Sequence, residues 1–123
     1  MVFEKRELWH KLARIAPLAA ATAASGRTVG ELRDDATWRP RLERGIAEAC
    51  AVAQADGVGL RASAQWAIID ELADETTTSA ARDVADGRRS ELDAIVGAVL
   101  RAAERLDVPC PTLTELAAAA GLR

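Results

Sequence analysis

Trp9-His10-Lys11 stands near the start of an apolar helical pattern that continues through Leu12, Ile15, Leu18 and Ala23. Lys11 is one of two lysines; the other positive charges are arginines. An ammonium at the mouth of an apolar segment can be desolvated, its pKa lowered and its proton put to use. The plainer reading is a lysine whose stem packs on the helix while its head stays in water. Two further groups could carry chemistry. Glu91 falls in the first turn of a later helical pattern, where the macrodipole favours a carboxylate and where most glutamates only stabilise. Thr76-Thr77-Thr78-Ser79 sets four hydroxyls in a row, a pattern more typical of a helix-capping loop than of a ligand cradle.

The elements that must position these groups are helices. Half of the 123 residues are hydrophobic, but only 3% are aromatic and none is tyrosine. Alanine, leucine and valine therefore build the core, and the first two are strong helix formers. Strand-favouring residues occur mostly singly, so the expected fold is all-α, one helical domain over 1–123. The first helix is expected over about 4–24, kinked at Pro17 and stopped by Gly26. A short turn of helix around 29–32 follows, then helices over about 37–56 and 62–72, the former ended by Gly57. Leu42, Ile46, Ala49, Cys50 and Ala53 give the second helix a buried face; Trp66, Ile69 and Leu72 give the third one. After the hydroxyl cluster comes a short helix ended at Gly87. Ser90 and Asp93 are expected to cap the fourth long helix, whose apolar face is Leu92, Ile95, Val96, Val99, Leu100, Ala103 and Leu106. Pro109 and Pro111 end it, and Thr112 or Thr114 caps a last helix through Leu116 and Ala120.

Several functions are disfavoured. The net charge is -3, and Arg27, Arg33, Arg39, Arg41, Arg44, Arg88 and Arg89 stand close to carboxylates rather than in a stripe, so nucleic acid is not the expected partner. Cys50 and Cys110 are isolated, with only His10 as a nitrogen donor, so no metal site is expected. The N-terminus lacks a signal-peptide core. The longest apolar run, 15–24, is interrupted by Pro17 and Thr22 and is too short to span a bilayer. A cytoplasmic protein with reduced thiols and no membrane partner is expected.

One series of residues carries a resemblance. Trp9-x-Lys11, Gly30-Glu31-Leu32-Arg33, Glu48, Val52-Ala53, Ala55, Gly57, Ser79-x-x-x-Asp83, Gly87-Arg88, Glu91 to Ile95, Gly97-Ala98, Ala102, Leu106, Val108-Pro109 and Pro111 follow in order. This order and spacing resembles the C-terminal, substrate-side domain of the ketopantoate reductase (2-dehydropantoate 2-reductase) family, with a fold like the 6-phosphogluconate dehydrogenase C-terminal domain. The resemblance runs from about Leu8 to Leu122. It implies that Lys11 is the catalytic lysine that gives a proton to the keto oxygen. It also implies that Glu91 contacts substrate and supports that lysine, and that Ser79 binds substrate. A desolvated ammonium suits protonation of a ketone oxygen as hydride arrives.

Two departures shape the reading. Members of the family commonly carry asparagines four and eight residues after the lysine; here Ile15 and Ala19 stand there and would form a greasier substrate wall. The Gly-x-Gly-x-x-Gly of a dinucleotide-binding domain is also missing, since Gly57-Val58-Gly59 lacks the third glycine and a preceding strand. No cofactor is expected in this chain, NADPH entering only with a separate Rossmann chain, so the chain is not a self-sufficient reductase. The favoured reading is a free-standing enzyme doing non-redox acid/base chemistry (isomerase, lyase or cyclase type) on a fairly hydrophobic carbonyl compound, in biosynthesis. The second is the substrate-binding half of a split or truncated NADPH-dependent 2-oxoacid reductase, partnered by a nucleotide-binding chain. The third is a catalytically silent helical dimerisation or binding module. A homodimer is expected under each, because small apolar helices left without a covering domain tend to pair.

Overall fold

α1 (Val2–Ser25) is the longest helix of the computed structural model, which describes residues 2–122. Ala13, Ala16, Ala19, Ala20 and Ala21 along it are fully buried, and side chains this small let other helices approach from several sides. Around it lie α2 (Val29–Asp34), α3 (Trp38–Ala55), α4 (Ala62–Asp70) and α5 (Ser79–Ala85). A continuous rod follows: α6 (Ser90–Leu92), a π-helical turn (Asp93–Gly97) and α7 (Ala98–Leu106). Then comes α8 (Pro111–Ala119). α1 packs against α2, α3, α4, α5, α6, the π turn and α8. Leu32, Leu42, Ile46, Ile69, Leu92, Val96, Val99, Leu113 and Leu116 fill the space between these helices. The described residues contain no strand, and the all-α expectation holds. No helix among them is long and apolar enough to cross a membrane.

Pro17 lies inside α1 and does not end it. A Cβ at Gly45 would sit 3.4 Å from both Pro17 and Leu113, so the glycine lets α3 press against the proline. Gly26, at φ 69°, closes α1 by donating its N–H to Thr22 at 2.8 Å, as a C′ glycine does.

The helix ends depart from the sequence expectations in one consistent way: their partners come from distant elements. Ser90 is the first residue of α6 rather than its cap, and Asp93 pairs with Arg101 at 3.1 Å. The cap comes from Asp83 of α5, which accepts the N–H of Glu91 at 3.2 Å. Neither Thr112 nor Thr114 caps α8. Glu48 of α3 instead takes the N–H groups of Thr112 and Leu113, both at 2.9 Å. α7 ends at Asp107, in the left-handed region at φ 58°, and Pro111 opens α8 rather than terminating the helix before it. α4 stops at Asp70, short of Leu72, because Arg33 donates to the carbonyls of Ile69 and Leu72, both at 2.8 Å, and pairs with Asp74.

Two charge-assisted bonds at the start of α8 should therefore outweigh any local cap. Glu48→Ala is expected to cost about 1–2 kcal/mol in urea unfolding at neutral pH. Thr112→Ala should change stability by less than about 0.5 kcal/mol. Equal losses from the two would show that the cap is local after all.

Candidate functional site

The first half of α1 is held by a clamp at its side. The Trp9 indole N–H donates to Asp56, beyond the end of α3, at 2.7 Å; Lys5 and Arg105 stand 3.3 and 3.8 Å from the same carboxylate. The Trp9 hydrogen bond holds the Asp56 carboxyl below the ordinary carboxylate range, and the two cations add to this. Trp9 is buried while its neighbours His10 and Lys11 are exposed. The clamp therefore fixes which side of α1 meets solvent, and Lys11 is on it.

The second anchor sits near the other end. Thr22 is fully buried, donates to the Leu18 carbonyl at 2.7 Å and shares a 2.8 Å hydrogen bond with the Thr78 hydroxyl. Thr78 in turn accepts the Ala81 N–H and caps α5. The hydroxyl run is thus a capping loop, as its composition suggested, and its last member is left over. Ser79 opens α5 with its hydroxyl exposed and donates to Glu91 Oε1 at 3.3 Å.

Asp83, one turn after Ser79, ties down the other member of that pair. It accepts from the Glu91 N–H and the Ser90 hydroxyl, both at 3.2 Å, and from Arg88 at 3.3 Å. The bond from the Glu91 N–H is the largest cause holding the Asp83 carboxyl below its ordinary value. The turn that brings Asp83 back to Glu91 passes through Gly87 at φ 84°. Asp83 has no candidate role from sequence reasoning. The available signal was an acid on the preceding helix facing a helix start that lacks a cap of its own.

The structure brings Ser79 and Glu91 together. Lys11 makes no hydrogen bond or ion pair with either among the described residues. It lies on the helix against which α5, α6 and the π turn all pack. Lys11, Ile15 and Thr22 fall within about 40° of one another around α1, Lys11 lying about three turns before Thr22. Thr22 points at the start of α5, and Lys11 and Ile15 share its angular sector of α1, with Lys11 exposed. Ile15 is half-buried; Ala19 is fully buried and offers no accessible wall.

Other chemistry is weaker. Burial pushes the Cys50 thiol up, and burial with the nearby Glu48 charge pushes Cys110 up to about 11, so neither is a thiolate nucleophile at neutral pH. A groove of about 600 Å³ runs between the π turn, α7 and α8, past Asp93, Leu100, Arg101, Ala117 and Leu122. It is lined by none of Lys11, Ser79 and Glu91. Gly57 closes α3 at φ 93°, and Val58 after it is buried.

Residues 5–122 match the family model described as ketopantoate reductase PanE/ApbA, C terminal. A 2-dehydropantoate 2-reductase of Halobacterium salinarum is 30% identical over 117 residues, covering 92% of this chain and 38% of that protein. Among solved structures, a PanE/ApbA family ketopantoate reductase of Ralstonia eutropha JMP134 superimposes with a TM-score of 0.81 at 30% identity. That match covers 94% of this chain and 39% of the other. A dimeric ketopantoate reductase of Staphylococcus aureus gives a TM-score of 0.84 at 24% identity, over 94% of this chain and 41% of its own. The chain spans about two fifths of the length of these relatives.

The Asp83 cap has a pH signature. Its folded pKa lies below the ordinary 3.8, so its stabilisation is present above that value and is lost as pH falls through the folded pKa. The stability difference between wild type and Asp83→Ala should be flat from pH 7 to about 5 and shrink below about 4. A difference that grows on acidification would contradict the assignment.

Proposed function

Because the chain belongs to the ketopantoate reductase C-terminal family, we propose that it is the substrate-binding half of an NADPH-dependent 2-oxoacid reductase. A nucleotide-binding domain outside the described residues then supplies the hydride. The observation that carries the reading is the Ser79–Glu91 hydrogen bond on elements packed against Lys11's own helix. The family match favours this second of the sequence-based readings over free-standing isomerase, lyase or cyclase chemistry.

In this reading the Lys11 ammonium gives its proton to the carbonyl oxygen as negative charge develops there, a contribution of about 10²–10⁴-fold. Ser79 and Glu91 hold the substrate, and the Asp83 bond to the Glu91 N–H keeps that carboxylate from drifting with the start of α6. Ile15 meets the carbon skeleton. Pairing of two copies belongs to the same proposal and is supported by the dimeric state of the Staphylococcus aureus relative. So does a cytoplasmic location, where NADPH would be at hand.

The test uses the chain alone. Titration with 2-oxo-3-methylbutanoate, followed by amide and side-chain NMR, should shift Lys11, Ser79 and Glu91 in one saturable step, and Lys11→Met should weaken binding at least tenfold. No hydrogen–deuterium exchange at the oxo acid's C3 is expected. Exchange that needs Lys11 would favour the free-standing acid/base enzyme, and absence of binding would remove the proposal.

A further inference from the structure

Glu91 stands eight residues before Val99, the fully buried residue on which the rod is seated. On a regular α-helix eight residues leave about 80° between two side chains, whereas seven make two turns and leave about 20°. The π turn Asp93–Gly97 lies between them, and a turn closed by i→i+5 bonds takes up one residue more than an α turn. The effective spacing becomes seven. Glu91 is then stacked two turns above Val99, on the inward stripe of the rod. Leu92 beside it is fully buried and Glu91 half-buried, while Ser90, Asp93 and Ala94 are exposed.

We propose that this π turn is the register device that aims Glu91 at Ser79, and that Gly97 and Arg101 are its positioning residues. Arg101 reaches back eight residues and donates to the Asp93 carboxylate at 3.1 Å and to the Asp93 backbone carbonyl at 3.3 Å. This clasp lies directly over Gly97. A Cβ there would fall 2.5 Å from Asp93 Oδ1 and 2.8 Å from Arg101 Nη1, so any larger residue must push the clasp aside. With the clasp open, the rod relaxes to a plain α-helix while α7 stays seated by Val99, Ala102 and Ala103. The segment before the turn then rotates by about 100°, carrying Glu91 away from Ser79 and its N–H away from Asp83. The placement of Glu91 stands on this geometry alone; its weight in function rests on the reading of the site as one for a 2-oxo acid.

A one-residue deletion distinguishes register from rigidity. Removing the exposed Ala94 takes out the extra residue, so a plain α-helix then leaves Glu91 where it is now. The readout is the Glu91 side-chain carboxyl ¹³C resonance and its response to Ser79→Ala. Wild type should respond, Gly97→Ala should lose at least about half of that response, and deleting Ala94 in the Gly97→Ala protein should restore it. Arg101→Gln, a surface change, should act in the same direction as Gly97→Ala and serves if that variant does not fold. Full response in Gly97→Ala, or in Arg101→Gln where Gly97→Ala is unfolded, overturns the proposal, as does its loss on deleting Ala94 alone. Affinity for 2-oxo-3-methylbutanoate should follow the same order. If wild type fails to bind that acid while the carboxyl responses keep their pattern, the substrate reading fails and the register device stands.

Discussion

A helix can be covered on several sides at once only if its own side chains are small, and the middle of α1 meets that constraint with Ala13, Ala16, Ala19, Ala20 and Ala21. Each is fully buried. Replacing any one by a larger residue would force a neighbour out of place, at a cost typically of about 1–3 kcal/mol. Because α3, α5, the π turn and α8 all pack against α1, the spacing between Lys11, Ser79 and Glu91 is set by that helix. The alanines specify distance; the polar anchors specify rotation. Trp9 on Asp56 fixes the first half of α1 about its axis, and Thr22 on Thr78 fixes the second.

The second organising feature is that three of the short helices borrow a cap from another element. Asp83 serves the start of α6, Glu48 the start of α8, and Arg33 the end of α4. A cap supplied from a distant element does two jobs, since it satisfies free backbone groups and also ties two elements together. At α6 the second job bears on the site, because the captured N–H belongs to Glu91 itself. An exposed carboxylate pair of the ordinary surface kind would contribute little; Asp83 matters through the backbone it holds.

Much of the fold could be read from the residues. The alanine and leucine content, the stops at Gly26, Gly57 and Gly87, and the apolar periodicities placed most of the helices within a few residues. Three things were not legible. Local capping rules pointed to Ser90–Asp93 and to Thr112, because a rule that looks three residues ahead cannot see Glu48 or Asp83 arriving from another helix. The short turn of helix expected around 29–32 is α2, but the complete capping box of Thr28 and Glu31 that starts it was not read. The π turn left no trace in the apolar pattern, since Leu92, Val96 and Val99 are spaced as on a plain helix; only Gly97 between Asp93 and Arg101 hinted at it. For the site, the Ser79–Glu91 hydrogen bond could not be read from the residues, because the resemblance tied each of them to substrate and not to the other, and Ala19 lies in the core, a consequence of α1's alanine packing.

The central claim is that Lys11 and the Ser79–Glu91 pair act on one bound molecule although they do not touch each other. A double-mutant cycle measures this directly. Isothermal titration of 2-oxo-3-methylbutanoate into wild type, Lys11→Gln, Glu91→Gln and the double variant gives their coupling through the ligand. The account predicts non-additivity of about 1 kcal/mol or more. Additivity within about 0.5 kcal/mol would contradict it, leaving Lys11 a solvated surface lysine and the Ser79–Glu91 bond a structural contact.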